Sequence, residues 1–179
     1  MTWIQTYTGK KFDLVRPDSD LVDIDDIAHA LSNVCRFGGH VRSFYSVAQH
    51  SIHVAEHLTD MDPQIQMQGL MHDAAEAYVG DMVRPLKRTM PMFIGVEERI
   101  WFAICERFNF TDEMHSRVKT ADNMMLFTEA RDLMTVNRLN EWATDLEPST
   151  VVKKVIPWGP GVARARFLAA FYALEEEIG

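Results

Sequence analysis

The sequence predicts an all-α fold introduced by a short N-terminal β-hairpin, and three observations carry that expectation. From about residue 23 onward, apolar residues recur at the 3.6-residue spacing of amphipathic helices. Helix-opening signatures accompany them: Asp23 or Asp25, Ser46 with Gln49 three residues on, and Asp62 followed by Pro63. Only the opening stretch WIQTYTGKKFDL alternates bulky and polar residues around Gly9-Lys10, the pattern of a hairpin.

A chain of 179 residues with 47% hydrophobic content can bury one substantial core, so a single domain spanning residues 1–179 is expected. Its 26 acidic residues against 18 basic ones give a net charge of -8, which disfavours a nucleic-acid polymer as partner. A small anionic ligand stays open wherever cations cluster. Cys35 and Cys105 both fall in apolar helical patterns, so they read as core thiols of a reducing compartment. No apolar run has the length of a signal peptide or approaches the roughly 20 residues of a membrane span. The expectation is a cytoplasmic protein without a membrane partner.

The first helix carries Ile27, Ala28, Leu31 and Val34 on one stripe and ends at Gly38-Gly39, with Arg36, His40 and Arg42 on the loop there. The second uses Val47, Ile52, Val54, Ala55 and Leu58, with His50 in its first full turn. The third runs from Pro63 through Ile65, Leu70, Met71, Ala74 and Ala75 to Gly80 and carries the stretch MHDAAEAYVGD. A basic, proline-punctuated segment, Arg84 to Arg88, leads to a helix from about Phe93 to Phe108 whose face with Glu97, Glu98 and Arg99 reads as solvated. Thr111 or Asp112 opens a longer helix through Val118, Ala121, Met125 and Leu133, with Asp122 inside it. Pro148 and residues 157–161 bound a loop before a closing helix with Phe167, Leu168, Phe171 and Leu174.

Three helices thus place polar side chains at otherwise apolar positions: His50, then His72 with Asp73, then Asp122. Buried polar groups cost free energy unless satisfied, and two imidazoles with two carboxylates suit a divalent metal. Successive helical residues point about 100° apart, so His72 and Asp73 can share one ion only if it lies between helices. Glu76 projects from the same face about one turn along and is placed to orient a metal-bound water or protonate a leaving oxygen. His29, His53, His57 and His115 read instead as hydrogen-bonded structural residues.

His50, the His72-Asp73 doublet and Asp122 resemble the H...HD...D signature of the HD-domain metal-dependent phosphohydrolases. HDxxE at 72–76, Asp81 after Gly80 and the following Pro-Leu-Lys resemble the HDxxExxxGD...PxK pattern of the small 5'-deoxynucleotidases. The opening WIQTYTGKKF, CRFGGH at 35–40 and YSVAQHS at 45–51 resemble the YfdR-type proteins, which include the DatZ-like phage dATP triphosphohydrolases. The resemblance implies a single HD-domain helical bundle holding Zn, Co or Mn through His50, His72, Asp73 and Asp122, with Mg accompanying the nucleotide phosphates. It further implies Glu76 and Asp81 as catalytic residues and Arg36, Phe37, Arg42, Lys87 and Arg88 as substrate contacts. A homo-oligomer, dimer or hexamer, in the cytoplasm of a cell or of a phage host is also implied.

The expected activity is hydrolysis of a free deoxynucleotide, with dATP giving deoxyadenosine and tripolyphosphate. The alternatives are a 5'-deoxynucleotidase releasing phosphate from monophosphates, a non-catalytic HD module that binds nucleotide, and a helical interaction protein whose polar residues are only structural.

Overall fold

The computed structural model of the protein describes residues 1–136, 141 and 151–179. Strands β1 (Trp3–Gln5) and β2 (Lys11–Asp13) pair antiparallel with Ile4 opposite Phe12, and Gly9 turns the hairpin at φ +87°, where a side chain would be strained. Phe12 is fully buried and stacks on Tyr78 with ring centroids 4.0 Å apart, which ties the hairpin to the helical body.

A 3₁₀ turn (Ser19–Leu21) precedes α1 (Ile24–Asn33), which Asp23 caps by accepting from the Asp25 N–H at 2.8 Å. The helix stops well before Gly38-Gly39. Val34 turns extended and Cys35 bridges to Ser46, so the glycines fall in a second 3₁₀ turn, Arg36–Gly39, with Phe37 at φ +57° and Gly38 at φ +58°. Arg36 is therefore buried rather than carried on an open loop.

Ser46 caps α2 (Val47–Glu56) by accepting from the Gln49 N–H at 3.1 Å. The expected return bond of a capping box gives way to a longer tie. The Gln49 amide donates to the Ile156 carbonyl (2.9 Å) and accepts from the Trp158 N–H (2.8 Å), pinning the approach to the last helix onto α2.

Asp62 and Pro63 open α3 (Pro63–Met71) as expected, but the helix does not run on to Gly80. His72 Nδ1 binds the Gly69 carbonyl at 2.8 Å, an acceptor that a continuing helix would offer to the next turn. The chain tightens to three-residue bonds, Ala74 to Met71 (2.8 Å) and Glu76 to Asp73 (2.9 Å), before α4 (Glu76–Val79) and Gly80 at φ +82°.

Then come α5 (Arg84–Lys87), α6 (Pro91–Phe108), α7 (Ser116–Leu133) and α8 (Pro160–Ile178). Helix α7 starts later than Thr111 or Asp112. The Gln68 amide takes the Thr111 and Glu113 carbonyls at 3.0 and 3.1 Å, and His115 becomes the cap, accepting from the Arg117 N–H. Glu97, expected to be solvated, is half-buried and paired with Lys87. Pro148 lies outside the described residues.

Helix α8 packs on α1, α2 and α3, and α2 packs in turn on α3 and α7. Ile27, Leu31, Leu70, Met71, Ile104, Phe167 and Phe171 lead the main core, while Tyr45, Leu58, Val118 and Met125 fill the space between α2 and α7. Full burial of each such side chain stabilises by about 1.5–3 kcal/mol. Because α2 is enclosed by these helices, its polar residues Gln49, His50, Ser51 and His53 are buried. Among the described residues, no helix is long and apolar enough to cross a membrane.

Candidate metal centre

Helix α2, the turn after α3 and helix α7 converge on one point. His50 Nε2 lies 3.2 Å from Asp122 Oδ1, 3.3 Å from His72 Nε2 and 3.6 Å from Asp73 Oδ2. His72 Nε2 lies 3.2 Å from Asp73 Oδ2 and 4.0 Å from Asp122 Oδ1. An ion bound tetrahedrally by bonds of about 2.0–2.2 Å separates its ligand atoms by roughly 3.3–3.6 Å, so the ligand atoms of His50, His72 and Asp122, all within 4.8 Å of one another, stand near coordination spacing, and Asp73 Oδ2 lies against both imidazoles.

The outer hydrogen bonds determine what these atoms offer. The Gly69 carbonyl can only accept, so His72 donates from Nδ1 and turns an Nε2 lone pair inward. His50 Nδ1 lies 2.6 Å from Glu129 Oε1, which favours the same arrangement. With His50 deprotonated at Nε2, two lone pairs and two carboxylate oxygens face one another, and a cation among them offsets their repulsion. The donor set fits a divalent transition metal.

Burial and the Arg36 charge oppose protonation of His50, yet Glu129 and Asp122 prevail and raise its pKa to about 9. Burial likewise opposes ionisation of Asp73 and Asp122, but for Asp73 the His72, His50 and Arg36 charges, and for Asp122 the hydrogen bond with His50 and the charge on His72, hold both carboxyls far below the usual range.

Glu76 behaves in the opposite way. It is buried, its Oε2 has no hydrogen-bond partner among the described residues, and burial with the nearby charges of Asp73 and Asp81 pushes its carboxyl well above the ordinary value. Asp81 is half-buried and shifted upward too, by burial first and then by Asp73, with Arg36 opposing.

The cations around the centre stand in different settings. Arg36 is only 7% exposed; its Nε donates to Glu129 Oε2 at 3.0 Å and its Nη1 reaches Asp73 Oδ2 at 3.4 Å, with the Phe37 ring 5.6 Å away. Lys87 pairs with Glu97 at 2.5 Å, and Arg42 is exposed with its guanidinium on the Asp132 carbonyl at the end of α7. Arg88 is exposed. Arg84 reaches the centre itself, donating to Asp122 Oδ2 at 2.9 Å and to Asn123 Oδ1 at 2.7 Å.

Sequence reasoning missed Glu129 and Tyr45. Glu129 is completely buried, and Tyr45 donates to the same Oε1 that His50 contacts, at 2.9 Å. The signal was available, since Glu129 follows Asp122 by two helical turns and so lies on the same face of α7. Of the other histidines, His53 contacts Glu56, His57 contacts the His53 carbonyl and His115 caps α7, while His29 stacks on Tyr7.

No family model matches the chain. It is 41% identical over 179 residues to the uncharacterized protein YfdR of Escherichia coli strain K12, covering 98% of this chain and 97% of that protein. An uncharacterized protein of Rhodobacter capsulatus is 32% identical over 126 residues, 66% of this chain and 64% of that protein. With near-complete coverage at that identity, the chain belongs to the family of YfdR.

Proposed function

We propose that this chain is a metal-dependent phosphohydrolase of the HD type that acts on free deoxynucleotides, converting dATP and water to deoxyadenosine and tripolyphosphate. The observation that carries the reading is the cluster of His50, His72 and Asp122 at a spacing that could hold a metal, with Asp73 against both histidines and Glu76 buried nearby. A divalent ion such as Zn, Co or Mn held by these four residues would supply a water acidic enough to attack phosphorus near neutral pH.

The chain's own groups divide the remaining work. Glu76, whose carboxyl is pushed upward by burial and by the charges of Asp73 and Asp81, is suited to hand a proton to the leaving deoxyadenosine oxygen, and Asp81 to order the substrate or the centre. Arg84, exposed and already at the rim on Asp122, is placed to meet phosphoryl oxygens, with Lys87 and Arg88 following on the same segment. Homo-oligomeric assembly, as a dimer or hexamer, and Mg accompanying the phosphates belong to the same proposal.

One observation favours a second reading, the 5'-deoxynucleotidase. Arg42, a cation that would help hold a triphosphate, is turned to the Asp132 carbonyl. The choice is made by product analysis: metal-loaded protein is incubated with each deoxynucleoside mono- and triphosphate and each ribonucleotide, and the products are separated by chromatography. Deoxyadenosine with tripolyphosphate is the expected outcome. Phosphate from monophosphates alone selects the second reading, and no product from any of them at full metal occupancy favours the non-catalytic nucleotide-binding module.

A further inference from the structure

Beyond the four ligand candidates, one buried carboxylate has been given no task. Glu129 lies on α7 with no exposure, and its two oxygens are divided between separate partners. Oε1 accepts from Tyr45 at 2.9 Å and lies 2.6 Å from His50 Nδ1; Oε2 accepts from Arg36 Nε at 3.0 Å. Arg36 continues to Asp73 Oδ2 at 3.4 Å. A buried charge is costly unless paired, and this one is paired with an arginine that also touches a second member of the centre.

We infer that Glu129 is the positioning residue of the metal centre: it holds the proton of His50 on Nδ1, so that Nε2 keeps its lone pair for the ion, and Arg36 is its counter-ion. The inference rests on the metal reading of His50 and moves Arg36 from substrate contact to the scaffold behind the ligands. Three features set it apart from an ordinary buried ion pair. The His50 contact is the shortest in the cluster, it is made to the nitrogen opposite the one that faces His72, Asp73 and Asp122, and both ring nitrogens are thereby given separate roles. Tyr45 competes for the same oxygen, so it tempers how strongly His50 is polarised.

The test is zinc affinity, measured by competition with a chelator, together with the nitrogen and proton resonances of the His50 ring in zinc-loaded protein. Glu129→Gln is expected to weaken zinc about 10–100-fold, the usual cost of losing such a partner, and to move the His50 Nδ1 proton upfield. Glu129→Asp should recover part of the affinity. Tyr45→Phe leaves the buried charges balanced and frees Oε1 for His50, so its proton should move downfield with zinc held at least as tightly. Wild-type affinity in Glu129→Gln, or an unchanged His50 proton in both variants, overturns the positioning role. If wild-type protein itself takes up no zinc, the metal reading fails instead, which is a separate result.

Discussion

His50 Nε2 and Asp122 Oδ1 face each other at 3.2 Å across the α2–α7 interface, although the two residues stand far apart in the chain. The apolar packing of Tyr45, Leu58, Val118 and Met125 around them fixes that distance, so the pair is set by the core rather than by a flexible loop. The charge expectations and the effects of substitution around the centre follow from this placement.

Glu76→Gln should keep the metal and lose turnover by about 10²–10⁴-fold, the usual contribution of a positioned proton donor. Because burial raises the folded carboxyl above its unfolded value, Glu76 stabilises the fold only in acid and loses that contribution as pH rises. The variant should therefore melt no lower than wild type at neutral pH. Metal content, turnover and melting temperature, taken together, check this; retained turnover would remove Glu76 from the chemistry.

Arg36→Ala should behave as a core lesion. It leaves Glu129 buried without its counter-ion, a change that costs about 3–5 kcal/mol. Urea unfolding of the metal-free variant measures it. A raised Michaelis constant with unaltered stability would return Arg36 to the substrate, where sequence reasoning had placed it.

Arg84→Ala should show the opposite profile. Its side chain is 45% exposed, so the loss of its ion pair with Asp122 should cost under about 1 kcal/mol. Steady-state kinetics should show a raised Michaelis constant, more for a triphosphate than for a monophosphate. Equal constants for variant and wild type would leave Arg84 as a surface partner of Asp122.

Stability of the metal-free protein should depend on pH through His50. Its folded pKa of about 9 exceeds the unfolded value of about 6.5, so its contribution is complete below about pH 6.5 and is lost as pH rises through 9. Asp73 and Asp122, depressed in the fold, contribute above about pH 3.9 and are lost only in acid. Melting temperatures from pH 6 to 10 should fall with pH for metal-free protein and much less for loaded protein. A flat metal-free profile would contradict the charge state assigned to His50.

The helical class and the hairpin were legible because periodicity and caps are local: Asp23, Ser46 and Asp62 each cap where expected. The four converging residues were legible because polar groups at apolar helix positions need a common partner. Boundaries failed where a distant side chain took over a local backbone group, as His72 does at the Gly69 carbonyl and Gln68 at Thr111 and Glu113. The burial of Arg36 was not legible because it depends on Glu129, a contact no local pattern encodes.

The most direct measurement is metal content per chain by elemental mass spectrometry, after reconstitution with zinc, manganese or cobalt and removal of excess. The account predicts one ion per chain in wild type and none in Asp73→Ala or Asp122→Ala, with helical circular dichroism preserved in each. Wild-type protein that binds no ion, or variants that keep the full complement, would contradict it.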